Sequence, residues 1–378
     1  RVSHDWAGLV AKLQKNEGAR RHLLIDGRAP RVGERMRMPA LAVTLEKIAR
    51  EGAEAFYAGD VAEDMVRDLR ELGGLHTLAD FAAQDAEYVT PIATTYRGIA
   101  LHELPPNNQG IVALVVLRML ERLGPLGTDP IGVERIHATM EVARLAYAVR
   151  DTFVADPAMA EIPVAYMLSD AFIDGLVRRI DRKRRIAELG PIPEPKGSDT
   201  IYMTVVDERG MAVSFINSLF AGFGSGIVAR KSGITLQNRG QGFVLTPGHR
   251  NCIAPRKRPL HTLVPAIATE GKSLWATFGV MGGAYQPFGH AWVLTNMIDY
   301  GLDPQEAVDC PRVFFEGQAV QVEDGVPLAS RAALEAMGHK VERRADPWGG
   351  SQLIRYDAAL ATYIGASDPR KDGQAIGY

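Results

Sequence analysis

Cysteine and net charge, two features that often narrow the functional class of a protein, are almost absent from this sequence. Its 378 residues include only two cysteines, Cys252 and Cys310, whose wide separation fits neither a disulfide framework nor a metal-ligand motif. We therefore expect two reduced thiols and no metal site. The 43 basic and 45 acidic side chains leave a net charge of −2, which removes the usual electrostatic reason to expect nucleic acid or a membrane as a partner.

Long apolar runs are also missing, and none reaches the length of a transmembrane helix. The first residues lack the pattern of a signal peptide, so we expect a cytoplasmic location; a periplasmic one stays open because the sequence does not begin with Met. A basic cluster at residues 178–185 (RRIDRKRR) falls within a helical pattern. We interpret it as a solvated helix face rather than a nucleic-acid site.

The first half of the sequence is dominated by apolar residues at helical spacing. This pattern predicts helices over residues 38–57, 61–73, 110–124, 133–154 and 166–190. Between them, residues 91–110 read as two strands followed by a turn at residues 105–108.

The composition changes at residues 190–198 (GPIPEPKGS), where prolines and glycines indicate a linker or exposed loop. Strand-like alternation follows. It predicts a hairpin in which TIYMTVVD and MAVSFINSL flank the turn ERG. Further strands are predicted at residues 232–238, 263–270, 272–283, 351–356 and 361–367, with helices at 290–301 and 330–340. A helix-rich first part and a strand-rich second part together predict an α+β fold.

Thr200 opens the first strand of this hairpin, directly after the linker. A threonine hydroxyl is a weak nucleophile unless a base is adjacent, and the residue's own α-amine, with a pKa of about 7.7–8.0, can serve as that base. This role requires cleavage of the Asp199–Thr200 bond, which an exposed linker would allow. The alternative interpretation is structural, because β-branched threonine often begins a strand.

Residues 199–226 (DTIYMTVVDERGMAVSFINSLFAGFGSG) resemble the start of the small subunit in the γ-glutamyltranspeptidase family, whose members are N-terminal-nucleophile hydrolases made as self-cleaving precursors. The resemblance continues in order through nearly the whole sequence. The matching segments are 26–60, 94–110, 232–243, 254–267, 279–287, 298–312 and 365–378.

The resemblance implies a four-layer αββα sandwich and no metal or organic cofactor. Residues 1–199 would be a segment of the large subunit, ending in the linker 190–199, and residues 200–378 would be the small subunit. The two would form a heterodimer or a dimer of heterodimers. The family's large subunit normally has further residues ahead of this segment, including an arginine for the substrate carboxylate, and no residue here can be assigned that role.

By the same resemblance, Thr200 is the nucleophile and Ser218 supplies a hydroxyl that bonds to its oxygen. The glycines of the sequence MGG, Gly282 and Gly283, match the oxyanion hole. Glycine allows backbone N–H groups to approach a ligand closely, which suits that role. The glycine-rich segment 222–226 matches a loop near the site and lacks the features of a phosphate-binding loop.

The substrate-binding positions depart from those of true γ-glutamyl enzymes. An Asn and an acidic residue that would bind the donor's α-amino group are replaced by Phe220 and Gly242, and two serines that would bind its carboxylate are His261 and Thr262. An ammonium group buried without a counter-charge is strongly unfavourable. We therefore expect a small amide substrate with a carboxylate or dicarbonyl end and no α-amine, bound by Arg239, His261 and Thr262. The alternative interpretation of Arg239 is a surface salt-bridge residue.

Phe220 would form an apolar wall, and Gln241, Tyr285 and Gln286 would also line the pocket. These variants resemble the oxamate amidohydrolase branch of the family, so we expect an amidohydrolase acting through an acyl-threonine ester. Three alternatives stay open: a true γ-glutamyltransferase or glutathione hydrolase, a cephalosporin or glutaryl acylase, and an unprocessed, inactive homologue that acts as a binding protein.

Overall fold

The computed structural model describes residues 1–189 and 200–378, and the chain forms two compact units. The first unit contains residues 1–88 and 219–239, and the second contains residues 89–218 and 240–378. The predicted linker 190–199 lies outside the described residues. The predicted division at 199/200 concerns cleavage of the chain; it does not coincide with the boundary between the units, and it stays a prediction.

The described residues contain fourteen α-helices and eleven β-strands. The helices are α1 (Val2–Ala7), α2 (Val10–Leu13), α3 (Glu17–Leu23), α4 (Pro39–Glu51), α5 (Glu54–Tyr57), α6 (Asp60–Glu71), α7 (Leu78–Ala82), α8 (Ile111–Leu123), α9 (Val133–Phe153), α10 (Val164–Met167), α11 (Asp170–Val177), α12 (Gln286–Asp299), α13 (Pro304–Asp309) and α14 (Leu328–Ala336). The strands are β1 (Ile92–Tyr96), β2 (Ile99–Glu103), β3 (Thr200–Val206), β4 (Ala212–Ser218), β5 (Ala266–Glu270), β6 (Ser273–Met281), β7 (Val313–Glu316), β8 (Ala319–Val322), β9 (Lys340–Arg343), β10 (Gly350–Asp357) and β11 (Thr362–Ser367). This mixture confirms the predicted α+β class.

The second unit is built around a six-stranded sheet of order β1-β2-β5-β6-β10-β11, in which every neighbouring pair is antiparallel. Strands β3 and β4 form the predicted hairpin, which packs against β6 and β10. Helices α8 and α12 pack together and also contact the sheet. A separate three-stranded sheet, β7-β8-β9, was not predicted from the sequence.

Strand β6 lies between the helices and the hairpin. Successive side chains of a strand point to opposite faces of the sheet, so alternate residues of β6 face the helices and the hairpin. Phe278 is fully buried and contacts the ring of His290 on α12. Thr277 and Gly279, on the other face, contact side chains of β3. On the hairpin's opposite face most side chains are apolar and exposed, and they include Ile201, Met203, Val205, Val213 and Phe215.

Local sequence explains several helix ends. Asp303 and Glu306 form a capping box at the start of α13, with Pro304 at its first position. Helix α8 ends at Gly124 (φ 73°), and α4 ends at Gly52 (φ 76°), where a positive φ favours glycine. The helix predicted over residues 38–57 is therefore two helices, α4 and α5.

Two sequence predictions were wrong. The helix predicted over 166–190 ends with α11 at Val177, and residues 178–189 form turns and bends, so the basic cluster 178–185 is not a helix face. Like charges four residues apart, such as Arg178 and Arg182, would disfavour a helix there, and the Arg185 amide donates to the carbonyl of Met337 instead. The strand predicted at 232–238 forms only an isolated bridge at Thr235, because Gly233 has a φ of 71°.

Across residues 1–189 and 200–378, no helix is both long enough and apolar enough to cross a membrane.

Candidate active site

The hairpin places Thr200 directly opposite Ser218. They are the first residue of β3 and the last residue of β4, and the antiparallel register pairs them. The Thr200 hydroxyl donates to Ser218 Oγ at 3.1 Å, and the Thr200 residue is only 6% exposed. The structure therefore brings these two predicted residues together, and their catalytic roles stay predictions.

The hairpin contacts β6 at intervals of two residues along each strand. Thr204 donates to the hydroxyl of Thr277 at 2.9 Å. Two residues away on each strand, the Tyr202 ring packs on Gly279, where an added Cβ would lie 2.3 Å from a ring carbon. By extrapolation, one further step of the same kind predicts that Thr200 lies level with Met281, the residue before Gly282.

Gly282 and Gly283 follow the end of β6 in backbone conformations that favour glycine, with φ values of 132° and 60°. The amide of Tyr285 donates to the Gly282 carbonyl at 3.1 Å. Because the peptide bond is planar and trans, the N–H of Gly283 then points away from that carbonyl. The loop can therefore present an N–H donor in a fixed direction, as an oxyanion hole requires.

Gln109, which directly follows the predicted turn at residues 105–108, is fully buried behind this loop. Its Nε2 donates to the carbonyl oxygens of Thr262 and Gly283, both at 2.9 Å. Arg150 on α9 donates to Gln109 Oε1 at 2.9 Å. Sequence reasoning missed Gln109 and Arg150 because their contacts join segments that are far apart in the chain.

His261 has a defined tautomer. The amide of Leu263 donates to His261 Nδ1 at 3.3 Å, and Nδ2 of Asn108 lies 3.4 Å from the same atom. Asn108 Nδ2 also donates to the Leu263 carbonyl at 2.6 Å, which identifies it as the amide nitrogen. A neutral His261 therefore carries its proton on Nε2, and this N–H can donate to a carboxylate. The adjacent Thr262 is buried, with 8% exposure.

Phe220 and Arg239 both belong to the first unit. The Arg239 guanidinium carbon lies 5.7 Å from the centroid of the Phe220 ring, within cation–π range. Burial lowers the pKa of Arg239 to about 10. Asn238 connects the backbone around Phe220 to the backbone next to Arg239. Its Oδ1 accepts from the Ala221 amide, and its own amide donates to the Leu219 carbonyl.

The glycine-rich segment 222–226, also in the first unit, surrounds a cation. Lys12 Nζ donates to the carbonyls of Gly222 and Gly224, both at 2.6 Å. These two carbonyls are directed at an ammonium group, whereas a phosphate-binding loop directs backbone N–H groups at its ligand.

Three predicted pocket residues differ in placement. Tyr285 is fully buried and stacks on Trp348 with ring centroids 5.5 Å apart, and burial raises the pKa of its hydroxyl. Gln286 is also fully buried, and its Oε1 accepts from the Val264 amide at 3.1 Å. Both side chains lie in the core rather than on a pocket surface, because the aromatic cluster and the β5 segment enclose them. Gln241 is exposed in a short 3-10 turn, Arg239–Gly242.

Behind β6 lies a buried pair that the sequence did not indicate. His290 Nδ1 is 2.6 Å from Glu103 Oε1, and the Val280 amide donates to His290 Nε2 at 3.2 Å. Since Nε2 accepts, a neutral His290 carries its proton on Nδ1 and donates it to the carboxylate. Burial raises the pKa of Glu103.

Among the residues that the structure describes, no group of three or more His, Cys, Asp or Glu side chains could hold a metal ion. Asp199, the predicted residue before the cleavage point, lies outside the described residues.

Comparison with known proteins gives a consistent result. The family model of γ-glutamyltranspeptidase matches residues 1–378. The chain is 36% identical to the glutathione hydrolase-like YwrD proenzyme of Bacillus subtilis (strain 168), over 93% of this chain and 68% of that protein. It is 35% identical to the oxamate amidohydrolase proenzyme of Klebsiella pneumoniae subsp. pneumoniae, over 100% of this chain and 72% of that protein.

Among solved structures, a cephalosporin acylase from Bacillus halodurans superposes with a TM-score of 0.90. Its sequence is 35% identical, and the match covers 100% of this chain and 71% of that one. This similarity confirms the predicted N-terminal-nucleophile hydrolase fold. The chain belongs to the γ-glutamyltranspeptidase family of N-terminal-nucleophile hydrolases.

Proposed function

We propose that this protein cleaves itself before Thr200 and then hydrolyses a small acyl amide that bears a carboxylate and no α-amine, of which oxamate is the simplest example. The observation that carries the proposal is the contact between the Thr200 hydroxyl and Ser218 Oγ at 3.1 Å. This contact lies on the hairpin that packs against β6, and β6 ends directly before the loop of Gly282 and Gly283.

The chemistry follows from these groups. Thr200 Oγ1 attacks the amide carbonyl carbon and gives its proton to the free α-amine of Thr200. The resulting oxyanion is bound by backbone N–H groups of Gly282 and Gly283. The C–N bond then breaks as the amine passes the proton to the leaving nitrogen, which leaves an ester on Thr200. Water adds to the ester in the same way and releases the acid.

Cleavage of the Asp199–Thr200 bond provides the amine that this mechanism needs. The relatives at 36% and 35% identity are both named proenzymes, which supports processing of this chain as well. One product would end at Asp199 and the other would begin at Thr200, and the two would be held together as a heterodimer. The β3–β4 hairpin belongs wholly to the second product, so cleavage leaves its register intact.

The substrate assignment rests on the residues that occupy the family's substrate-binding positions in this sequence. His261 presents an Nε2–H donor, and Thr262 adds a hydroxyl on the same segment. In the first unit, Arg239 offers a guanidinium group, which matches a carboxylate with two parallel hydrogen bonds. Phe220 follows Ser218 by two residues and is apolar where an α-amino group would need a polar partner. These residues favour an anionic amide without an ammonium group.

The first test compares Thr200→Ala with Thr204→Ala. Thr204 is the matched control, because it removes a hydroxyl from the same strand, one that bonds to Thr277 rather than to Ser218. Intact-mass spectrometry should find two fragments, split before Thr200, in the wild type and in Thr204→Ala. Thr200→Ala should remain a single chain and release no ammonia from oxamate. Cleavage and turnover by Thr200→Ala would refute the proposal.

A glutathione hydrolase is the second candidate, supported by the name of the relative at 36% identity. The two candidates differ in substrate preference. Comparable kcat/KM values for γ-glutamyl-p-nitroanilide and oxamate would favour this second function, whereas at least a tenfold preference for oxamate would favour the first.

A further inference from the structure

Gln109 is a fully buried amide that reaches two backbone segments of the candidate site at once. Its Nε2 donates to the carbonyls of Gly283 and Thr262, and its Oε1 accepts from Arg150, all at 2.9 Å. These contacts settle which end is the nitrogen. A flipped amide would set its oxygen against two carbonyl oxygens and its NH2 group against a guanidinium group.

The loop after β6 is held at three successive carbonyls. The Gly282 carbonyl accepts from the Tyr285 amide, and the Gly283 carbonyl accepts from Gln109. The Ala284 carbonyl accepts from the hydroxyl of Tyr147 on α9. Since each carbonyl fixes the plane of its own peptide, the direction of the Gly283 N–H is determined from both sides.

Arg150 connects these restraints. It is 5% exposed, lies one helical turn after Tyr147 on α9, and its guanidinium carbon is 4.7 Å from the centroid of the Tyr147 ring. Its Nε donates to Asp151 at 2.8 Å, so the buried cation has a counter-charge while Nη1 holds Gln109. Helix α9 therefore holds the loop both directly, through Tyr147, and indirectly, through Gln109.

We propose that Gln109, oriented by Arg150, is a positioning residue for acyl transfer that fixes the oxyanion loop relative to the Thr262 segment. The inference rests on the proposed function. Gln109 touches no reacting atom in this role. It acts because one amide nitrogen is shared by a carbonyl of the oxyanion loop and a carbonyl of the segment that would bind the substrate carboxylate, so neither can shift without the other.

The test uses Gln109→Met, which keeps the length of the side chain and removes all three hydrogen bonds. Arg150→Met is a second variant, which leaves Gln109 in place but without its orienting partner. Asn296→Leu is the matched control. It removes a different fully buried side-chain amide, which lies on α12 and donates to the Ala307 carbonyl at 2.8 Å rather than to the loop.

Two quantities are measured for each variant: hydrogen–deuterium exchange of peptides covering residues 280–287, and kcat and KM for oxamate, with kcat expressed per molecule cleaved before Thr200. Gln109→Met should exchange faster in this region and lose about 10–100-fold in kcat, the loss expected for a misplaced oxyanion donor, with KM changed less than about threefold. Arg150→Met should change both quantities in the same direction by less. Asn296→Leu should lower Tm and leave both quantities at the wild-type level.

Unchanged exchange at residues 280–287 in both Gln109→Met and Arg150→Met would overturn the inference, as would faster exchange with an unaltered kcat. Equal losses of kcat in Asn296→Leu and Gln109→Met would also overturn it, because they would indicate a merely structural role. A wild-type protein that hydrolyses no amide would refute the proposed function. In that case exchange alone decides: faster exchange in Gln109→Met supports the positioning of the loop, and unchanged exchange overturns it.

Discussion

Substitution of Ser218 tests the activation that we propose for Thr200. Ser218→Ala removes only the group that accepts from Thr200 at 3.1 Å. This distance is longer than the usual 2.7–2.8 Å for a hydroxyl–hydroxyl bond, so the contact contributes little in the resting state. When Thr200 attacks and its oxygen gains negative charge, the Ser218 hydroxyl can turn and donate to it.

A neutral hydrogen bond in the resting state and a charged one in the transition state predict different decreases in rate for Ser218→Ala. A neutral hydrogen bond is worth about 0.5–1.5 kcal/mol, which corresponds to about 2–13-fold in rate, whereas a bond to a charged group is worth about 1.5–3 kcal/mol, or about 13–160-fold. Since we place the charged bond in the transition state, kcat of Ser218→Ala should fall by about 10–100-fold. KM and Tm should change little.

Ser214→Ala is the matched control for this experiment. Ser214 lies on the same strand and the same face as Ser218, and its hydroxyl is 2.6 Å from that of Tyr202. Initial rates of ammonia release from saturating oxamate give kcat for both variants. A decrease of less than about twofold in Ser218→Ala, or an equal decrease in Ser214→Ala, would refute a specific role for Ser218.

Three further predictions concern the surroundings of the site. Gly279→Ala should lower kcat and Tm together, because its Cβ would lie 2.3 Å from the Tyr202 ring and push the hairpin away from β6; a wild-type kcat would refute the step along β6. Arg239→Met should raise Tm at neutral pH, since burial lowers the pKa of Arg239 and so disfavours its charged form, while KM for oxamate rises; unchanged KM would remove Arg239 from the substrate site. Burial raises the pKa of the Glu103 carboxyl above its ordinary value of 4.5. Between the unfolded and the folded pKa the folded wild type therefore binds more protons than the unfolded chain, and it loses stability as the pH rises through this range. Glu103→Gln keeps an acceptor for His290, and its Tm relative to the wild type should increase as the pH rises above 4.5, the ordinary pKa of the carboxyl group; a Tm difference that does not change with pH would show that burial does not raise the pKa of Glu103.

The parts of the fold that the sequence predicted well are those determined by neighbouring residues. Apolar spacing predicted α8, α9 and the hairpin, and the family resemblance predicted a hydrogen bond between the Ser218 hydroxyl and the Thr200 oxygen. The predictions that were wrong, the helix over 166–190 and the strand over 232–238, each depended on a contact from elsewhere. Residues 178–189 bond to distant backbone groups, and the Ser232 amide donates to Asp64 on α6.

The site residues that the sequence did not reveal share a different property. Gln109, Arg150 and the Glu103–His290 pair are polar groups whose partners lie on other elements, and a single sequence does not state those partners. Tyr285 and Gln286 illustrate the opposite error. They follow the oxyanion glycines directly, which made them candidates for the pocket, but the helical turn at that point directs both side chains into the core.

The geometry of the proposed nucleophile, Thr200, is set by strands rather than by flexible loops. The hairpin register pairs Thr200 with Ser218, the packing of Tyr202 on Gly279 sets the hairpin against β6, and β6 leads directly into Gly282 and Gly283. Each link is a backbone element or a contact with no spare volume, and sites built on such elements are held more precisely than sites on loops. Release of an amine at Thr200 would therefore create the base at a residue whose hydroxyl is already in place, so self-cleavage would require no rearrangement of the strands that carry the chemistry.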